Sequence, residues 1–464
     1  MTKLVAEKFM SDPRVVEAKE TLLKTLREYQ DTITGIRPPV PDLKQSYDEA
    51  VEEFSRLRGG NLYFPYLGGG MGRGPFVELA DGSVKYDFIT GIGVHYYGHG
   101  SPEVVEAVLD AALSNTIMQG NLQQNMESLD LARLLIGAAN ARGADIEHCF
   151  ITTSGAMANE NALKIIFQRK APADRLLAFS GCFAGRTLTL SQVTDKPEYR
   201  IGLPPTVSVD YVPFYDANAP RESLKNAVIH LKKHMRRYPG RHAAMVFELI
   251  QGEGGFNSGD TDFFATLMQL LSKHGIAVML DEIQTFGRTD EIFAFQRFGL
   301  DRFVDVVTIG KMSQVCATLF RGEFKPGVGL LSQTFTAPTA AIKAAQVIIS
   351  DLLNGDYFGQ KGKIARVHER FENGLAALAE RRPGLVEGPY GVGSMIVFTP
   401  LGGDRERVVR FVHELFDAGV ISFICGSNPL RVRFHVPIGA VTYEHIDEVL
   451  TIIEQTLVKL SDKG

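Results

Sequence analysis

Two residues set the chemical possibilities of this chain. Asp281 closes the apolar run Ile276-Ala-Val-Met-Leu, and Lys311 follows a second run, Val306-Val-Thr-Ile-Gly. Each run predicts a short buried strand, so each side chain emerges just past a strand end. An unprotonated lysine amine attacks an aldehyde to form an imine. A carboxylate beside a pyridine nitrogen keeps that nitrogen protonated, so the ring can accept electrons. Imine former and pyridinium partner are what pyridoxal phosphate needs from a protein. Alone the pair is ambiguous, because an Asp at a strand end also serves as a turn former or helix cap.

A third feature adds a place for a phosphate. The run Cys149-Phe-Ile-Thr-Thr leads directly into Ser154-Gly-Ala-Met-Ala-Asn-Glu-Asn-Ala-Leu-Lys164. This predicts a strand, a turn of small residues and an amphipathic helix carrying Ala162, Leu163, Ile166 and Phe167. A helix N-terminus presents unpaired N–H groups and the positive end of the macrodipole, which suits a phosphate dianion. The same pattern also fits a simple strand-to-helix turn with Ser154 as N-cap. Competing phosphate loops are missing: no GxGxxG follows a strand, and Lys311 is preceded by Gly310 but followed by Met312. A dehydrogenase is therefore disfavoured.

The elements that position these groups follow a recognisable order. Residues 1–60 are charged with helical periodicity (Val15, Leu22, Leu23, Leu26, Tyr29) and predict surface amphipathic helices. The glycine-rich stretch Gly68–Gly74 precedes strand and turn signals at Phe76-Val-Glu-Leu, Asp81-Gly82 and Val84–Phe88. From about residue 100, helical patterns alternate with the apolar runs 149–153, 176–179, 243–247, 276–280 and 306–309. Such runs predict strands buried on both faces of a mainly parallel α/β sheet. Beyond about 345 come a long helix, short strands near 394–399 and 432–436, and a closing helix from Tyr443 to Leu460. The expected domains are a large α/β domain over 100–344 and a smaller α+β domain over 345–464, completed by the segment 1–99.

At 464 residues the chain is long enough for two cores. A net charge of −5 argues against a nucleic-acid or anionic-membrane partner, whose footprint is basic. Four cysteines without a CxxC suggest neither a metal site nor a disulfide framework, which fits a reducing cytoplasm. The first residues carry no signal or transit pattern, and no stretch approaches 18 uninterrupted apolar residues.

Several further motifs, in order, carry a resemblance. They are Val84-Lys-Tyr-Asp-Phe-Ile-Thr-Gly-Ile-Gly93, Gly98-His-Gly-Ser-Pro102, Gly181-Cys-Phe-Ala-Gly-Arg-Thr187, Glu248-Leu-Ile-Gln-Gly-Glu-Gly254 and Asp281-Glu-Ile-Gln-Thr-Phe-Gly-Arg288. With Ser154-Gly-Ala and Lys311 they resemble the class III, or ω-type, aminotransferases of fold type I, which use pyridoxal phosphate. The resemblance spans nearly the whole chain. It implies that Ser154, Gly155 and Ala156 hold the phosphate, Phe183 stacks on the pyridine ring, and Asp281 pairs with its nitrogen. It further implies that Gln284 bonds the phenolic oxygen and that Lys311 is both imine former and proton shuttle. Thr334, in Ser332-Gln-Thr-Phe, would reach the phosphate of a neighbouring subunit, so the implied active unit is at least a homodimer. Arg186 and Arg433 match two carboxylate-binding arginines, and Glu253 a glutamate that neutralises Arg433 for substrates lacking that carboxylate. His99, Asp87 and Arg288 match positions of structural support.

Departures from the family pattern concern the substrate. Ala184 replaces a usual histidine, Glu248 is followed by Leu249 instead of proline, and Ile92 falls where ornithine-type members carry a tyrosine. The segment Gln314-Val-Cys316 is similar to lysine 6-aminotransferases. The implied reaction is a ping-pong transfer of a terminal amino group from an amine to a 2-oxo acid such as 2-oxoglutarate, with no metal. An aminomutase or decarboxylase on the same scaffold is the alternative within the fold. A protein of this fold that has lost catalysis is the alternative outside it, and the retained Lys311 and Asp281 argue against that.

Overall fold

A computed structural model describes residues 4–114 and 120–461. The chain forms two compact units, one of residues 1–114, 366–389 and 396–464, the other of residues 115–365 and 390–395.

The second unit is built on seven strands: β1 (His148–Thr152), β2 (Arg175–Phe179), β3 (Ser208–Val212), β4 (His242–Phe247), β5 (Ala277–Glu282), β6 (Val306–Ile309) and β7 (Cys316–Phe320). Their order across the sheet is β1-β7-β6-β5-β4-β2-β3. The pairs β2–β3, β2–β4, β4–β5 and β5–β6 are parallel, whereas β7 runs antiparallel to both neighbours. β1 therefore points the same way as β6, and every strand except β7 ends at one edge. This is the mainly parallel α/β sheet expected of fold type I. Two strands have no counterpart among the expected runs. β3 (Ser-Val-Asp-Tyr-Val) alternates polar and apolar as a sheet-edge strand does, and β7 follows Lys311 too closely to stand out as a separate run.

The period of two along the strands sorts the core. Leu176, Ala178, Ala244, Val246, Ala277 and Met279 face helix α1 (Gly155–Lys170), whose Ala162, Leu163 and Ile166 pack on them. These contacts are small and branched, so the helix lies close to the sheet. Their neighbours Phe179 and Phe247 belong instead to an aromatic cluster with Phe263 and Phe264 of helix α3 (Thr261–Lys273). Helix α2 (Pro220–Arg237) lies between them in sequence and packs beside β3. Each fully buried aliphatic or aromatic side chain here stabilises the fold by roughly 1.5–3 kcal/mol relative to exposure.

The first unit carries the helices Val5–Met10, Pro13–Gln30 and Pro41–Leu57 expected from the periodicity of residues 1–60. Only Leu23, Gln30 and Tyr47 among them are buried. Gln30 anchors its helix by donating to the carbonyls of Gly72 (2.8 Å) and Gly100 (2.6 Å), and Lys19 pairs with Asp110 at 2.7 Å. The glycine-rich stretch forms a strand, Gly68–Arg73, which opens a small sheet with Phe76–Leu79, Val84–Asp87 and Val420–Ile421. Leu430–His435 pairs antiparallel with Phe423–Gly426, and the closing helix spans Tyr443–Ser461. Among the described residues no cysteine forms a disulfide. Among the described residues no helix is long and apolar enough to cross a membrane, and no His, Cys, Asp and Glu cluster could hold a metal.

Candidate active site

Five strand ends at the shared edge of the sheet supply the side chains that the sequence singles out. Asp281 lies within β5 and not beyond it, because the parallel ladder with β6 continues through Asp281↔Thr308 and Glu282↔Ile309. Its carboxylate is buried. Oδ2 accepts from Asn159 Nδ2 at 2.7 Å and Oδ1 from the Ile283 N–H at 3.0 Å. Burial pushes the carboxyl up to about 6, against the pull of Asn159, the Ile283 N–H and the Lys311 cation. Asp281 is therefore an ionisable anion close enough to Lys311 to feel its charge.

Lys311 follows β6 and opens a short turn, Lys311–Ser313, with φ of +56° at Lys311 and +57° at Gln314. Neither is glycine, so both store strain of roughly 1–3 kcal/mol each, a cost typical of residues fixed by a functional site. The next strand holds the turn in place: β7 starts at Cys316, whose burial raises its thiol to about 11.

The turn at Ser154 has the predicted form. Ser154 caps helix α1, its Oγ accepting from the Met157 N–H at 3.2 Å. The N–H groups of Gly155 and Ala156 lie in the first turn, where a helix offers no internal acceptor. A side chain at Gly155 would meet Ile283 at 3.0 Å, so glycine preserves the backbone approach.

Glu248, after β4, ties two loops together. Its carboxylate accepts from the Phe183 N–H (2.8 Å) and from the Gly252 N–H (3.0 Å), and burial beside Asp281 pushes it up to about 8. Phe183 is half-buried, its ring edge-on to Tyr199. Arg186 is exposed, stacked over Tyr199 at 4.2 Å and donating to its hydroxyl at 3.2 Å. Gln284 is buried and reaches Glu253 at 3.5 Å.

One unit thus brings together Ser154, Gly155, Ala156, Phe183, Arg186, Glu253, Asp281, Gln284 and Lys311. Thr334 belongs to the same unit and is exposed. Arg433 belongs to the other unit, where it is fully buried on Leu430–His435 with its guanidinium 5.5 Å from the Phe423 ring centre. His99 Nε2 bonds the Asp87 carboxylate at 2.9 Å, and the Arg288 carbonyl accepts from the Ser394 N–H at 2.9 Å.

Asn159 and Glu248 are the residues that sequence reasoning leaves out. Asn159 is fully buried and fully engaged: besides Asp281, it donates to the Ala184 carbonyl (2.8 Å) and accepts from the Thr308 hydroxyl (2.7 Å). It links helix α1, the Phe183 loop, β5 and β6 through one amide. A signal exists in its position, five residues after Ser154 on the helix face that also buries Ala158, Ala162 and Ile166.

The donor set fits pyridoxal phosphate: a helix N-terminus with free N–H groups for a dianion, a buried acid for a ring nitrogen, and an amine within its field. Residues 70–457 match the class-III aminotransferase family, and the chain belongs to it. Members of this family are pyridoxal phosphate enzymes that transfer an amino group to a 2-oxo acid, and this chain is such an aminotransferase. It is similar to the acetylornithine aminotransferases of Methanocaldococcus jannaschii (29% identical, covering 84% of this chain and 93% of that one) and Archaeoglobus fulgidus (30%, covering 82% and 93%). In fold it is similar to the lysine aminotransferase of M. tuberculosis in its internal aldimine form, with a TM-score of 0.77 at 23% identity over 88% of this chain and 99% of that one.

Proposed function

We propose that this aminotransferase takes a terminal amino group from a donor amine and delivers it to 2-oxoglutarate, acting as a cytoplasmic homodimer. The observation that carries the chemistry is the buried Asp281 carboxylate, fixed by Asn159 and sensing the Lys311 charge.

Bound pyridoxal phosphate supplies an aldehyde and an electron-accepting ring. Gly155 and Ala156 bind its phosphate through their N–H groups, with Ser154 fixing the turn. Asp281 would keep the ring nitrogen protonated by charge pairing, Phe183 would stack on the ring and Gln284 would bond the phenolic oxygen. The Lys311 amine would anchor the cofactor and, when free, would take and return the proton at the substrate Cα. Arg186 and Arg433 bind the carboxylates of the acceptor through their planar forks. Glu253 pairs with Arg433 when the donor lacks the second carboxylate. Thr334, exposed here, completes the phosphate site of the neighbouring subunit.

Three features support the donor assignment: the Gln314-Val-Cys316 segment, Ile92 in place of a tyrosine, and relatives named for acetylornithine, a diamino-acid derivative. The test is to follow each half-reaction separately by stopped flow, screening terminal diamines and ω-amino acids, in the wild type and in Arg433→Ala. The acceptor half with 2-oxoglutarate should slow far more than the donor half. Equal damage to both halves, or a wild type indifferent to 2-oxoglutarate but fast with pyruvate, would overturn the assignment.

A further inference from the structure

The opposite edge of the seven-stranded sheet carries a cleft that the transamination chemistry does not use. It has a volume of about 740 Å³ and is lined by residues just before or at the starts of β2, β4 and β5: Ala173, His242 and Ile276. Asp281, near the end of β5, and Lys311, just past β6, lie at the other ends of the strands, so this cleft is a separate place on the same unit.

Its walls combine two chemistries. Ala173, Met235, Tyr238, Pro239 and Ile276 make an apolar floor, extended by Ile229, which is 50% exposed although aliphatic. Above them stand Lys232 and Arg236 of helix α2, both exposed. Ile229, Lys232 and Arg236 are spaced three and four residues apart, which puts them on one helix face. The neighbouring Lys233 and Arg237 do not line the cleft. Among the described residues no carboxylate lies within 4 Å of Lys232 or Arg236, whereas Lys170 at the same mouth is already paired with Glu323 at 3.4 Å.

The back wall is rigid. Asp210 accepts from Arg175 (2.9 and 3.0 Å) and bonds His242 Nε2 at 2.8 Å, while the Arg175 guanidinium stacks 3.8 Å from the Tyr238 ring centre. This network fixes Tyr238 and His242 and leaves Asp210 no charge to spare for the mouth.

Complementing the helix C-terminus is the plain alternative for these cations, and it accounts for part of the pattern. The final eight residues of helix α2, His230–Arg237, include Lys232, Lys233, Arg236, Arg237 and two histidines but no carboxylate. The macrodipole acts within about the last turn. It can explain Arg236 and Arg237, but Lys232 stands more than a turn from the end. It also gives no reason for exposed Ile229 to share the cationic face. In a chain of net charge −5 this is a concentrated local excess of positive charge.

We propose that this cleft binds an organic anion that places an apolar body on the floor and its anionic head between Lys232 and Arg236. Two sources of that chemistry, an acyl carboxylate and a nucleotide phosphate, are separated by titration. The holoenzyme is titrated calorimetrically at low ionic strength with decanoate, with adenosine triphosphate and with inorganic phosphate. One of the two organic anions should bind at least about tenfold tighter than inorganic phosphate. The Lys232→Gln/Arg236→Gln double variant should weaken that binding by about tenfold or more, and Ile229→Ser by a few-fold. Both sites of substitution are exposed, so the fold and the transamination rate should be unchanged, which also separates this result from any failure of the active-site assignment. Binding of inorganic phosphate as tight as that of both organic anions, no saturable binding in either organic arm, or full affinity in the double variant would overturn the proposal.

Discussion

Replacing Asn159 with alanine should change when Asp281 ionises, and the size of the change follows from the contact. The amide donates to a buried carboxylate at 2.7 Å in a site where burial has already pushed the acid up to about 6. A hydrogen bond to a buried charge contributes about 1.5–3 kcal/mol. At 1.36 kcal/mol per pH unit, its loss moves Asp281 up by about one to two units, to between about 7 and 8. The cofactor-free enzyme at pH 7 then goes from about nine-tenths ionised at Asp281 to between about half and a tenth. With Asp281 as the proposed partner of the ring nitrogen, association of pyridoxal phosphate should weaken about two- to tenfold at pH 7 and recover as the pH approaches 9. Equilibrium titration of the apoenzyme with cofactor from pH 6 to 9, wild type against Asn159→Ala, measures this. Thermal unfolding of both should accompany it, because Ala184 and Thr308 also lose a partner. A deficit equal at every pH would refute the reasoning and reduce Asn159 to a packing role.

Lys311→Ala should fold, retain a phosphate-binding turn and lose turnover, as assayed by product formation over many cycles; near wild-type turnover would remove Lys311 from its assigned role. Asp281→Asn should slow the proton-transfer step by about 4 kcal/mol or more, read from single-turnover rates. The apoenzyme should lose unfolding free energy as pH rises from about 5 to 9. Glu248, Glu282 and Asp281 are raised to about 8, 7 and 6 in the fold, so between these values and about 4 the unfolded chain binds fewer protons. Glu248→Gln should flatten that slope in denaturant titrations. Gly98→Ala should cost about 3 kcal/mol or more, because its Cβ would stand 1.8 Å from the Gly74 carbonyl oxygen at φ +70°. Gly35→Ala, with nothing within 4 Å, should change the melting temperature little.

The groups that do chemistry were legible because each sits beside an unmistakable apolar run. Val306–Ile309 and Ala277–Leu280 read as buried strands; Lys311 emerges just past the first, whereas Asp281 belongs to the second, which runs on to Glu282. The turn at Lys311–Gln314 was hidden for the opposite reason. Two left-handed residues without glycine or asparagine give no turn signal, so the return strand β7 went unseen. Asn159 was hidden by its surroundings, since an asparagine between Ala158 and Glu160 looks like the polar side of a helix until the sheet covers it. Glu248 was visible only as a letter in a motif; its grip on two loop N–H groups is a tertiary fact with no local trace. Arg186 was legible as a cation, but its stacking on Tyr199 depends on a loop that brings residues 13 apart together.

The reversed strand β7 also dictates a timetable. β2 to β5 pair among themselves and can assemble as residues 175–282 leave the ribosome, but among the described residues β1 pairs with β7 alone. The segment bearing the Ser154 turn must therefore wait for Cys316–Phe320, roughly 160 residues behind it, or about 10–30 s at ordinary rates of synthesis. Through that interval His148–Thr152 has two bare edges, the condition in which strands capture strangers. The cofactor cannot chaperone this stage, since Lys311 and the Ser154 turn, proposed to receive it, are joined in one sheet only by the last strand to arrive.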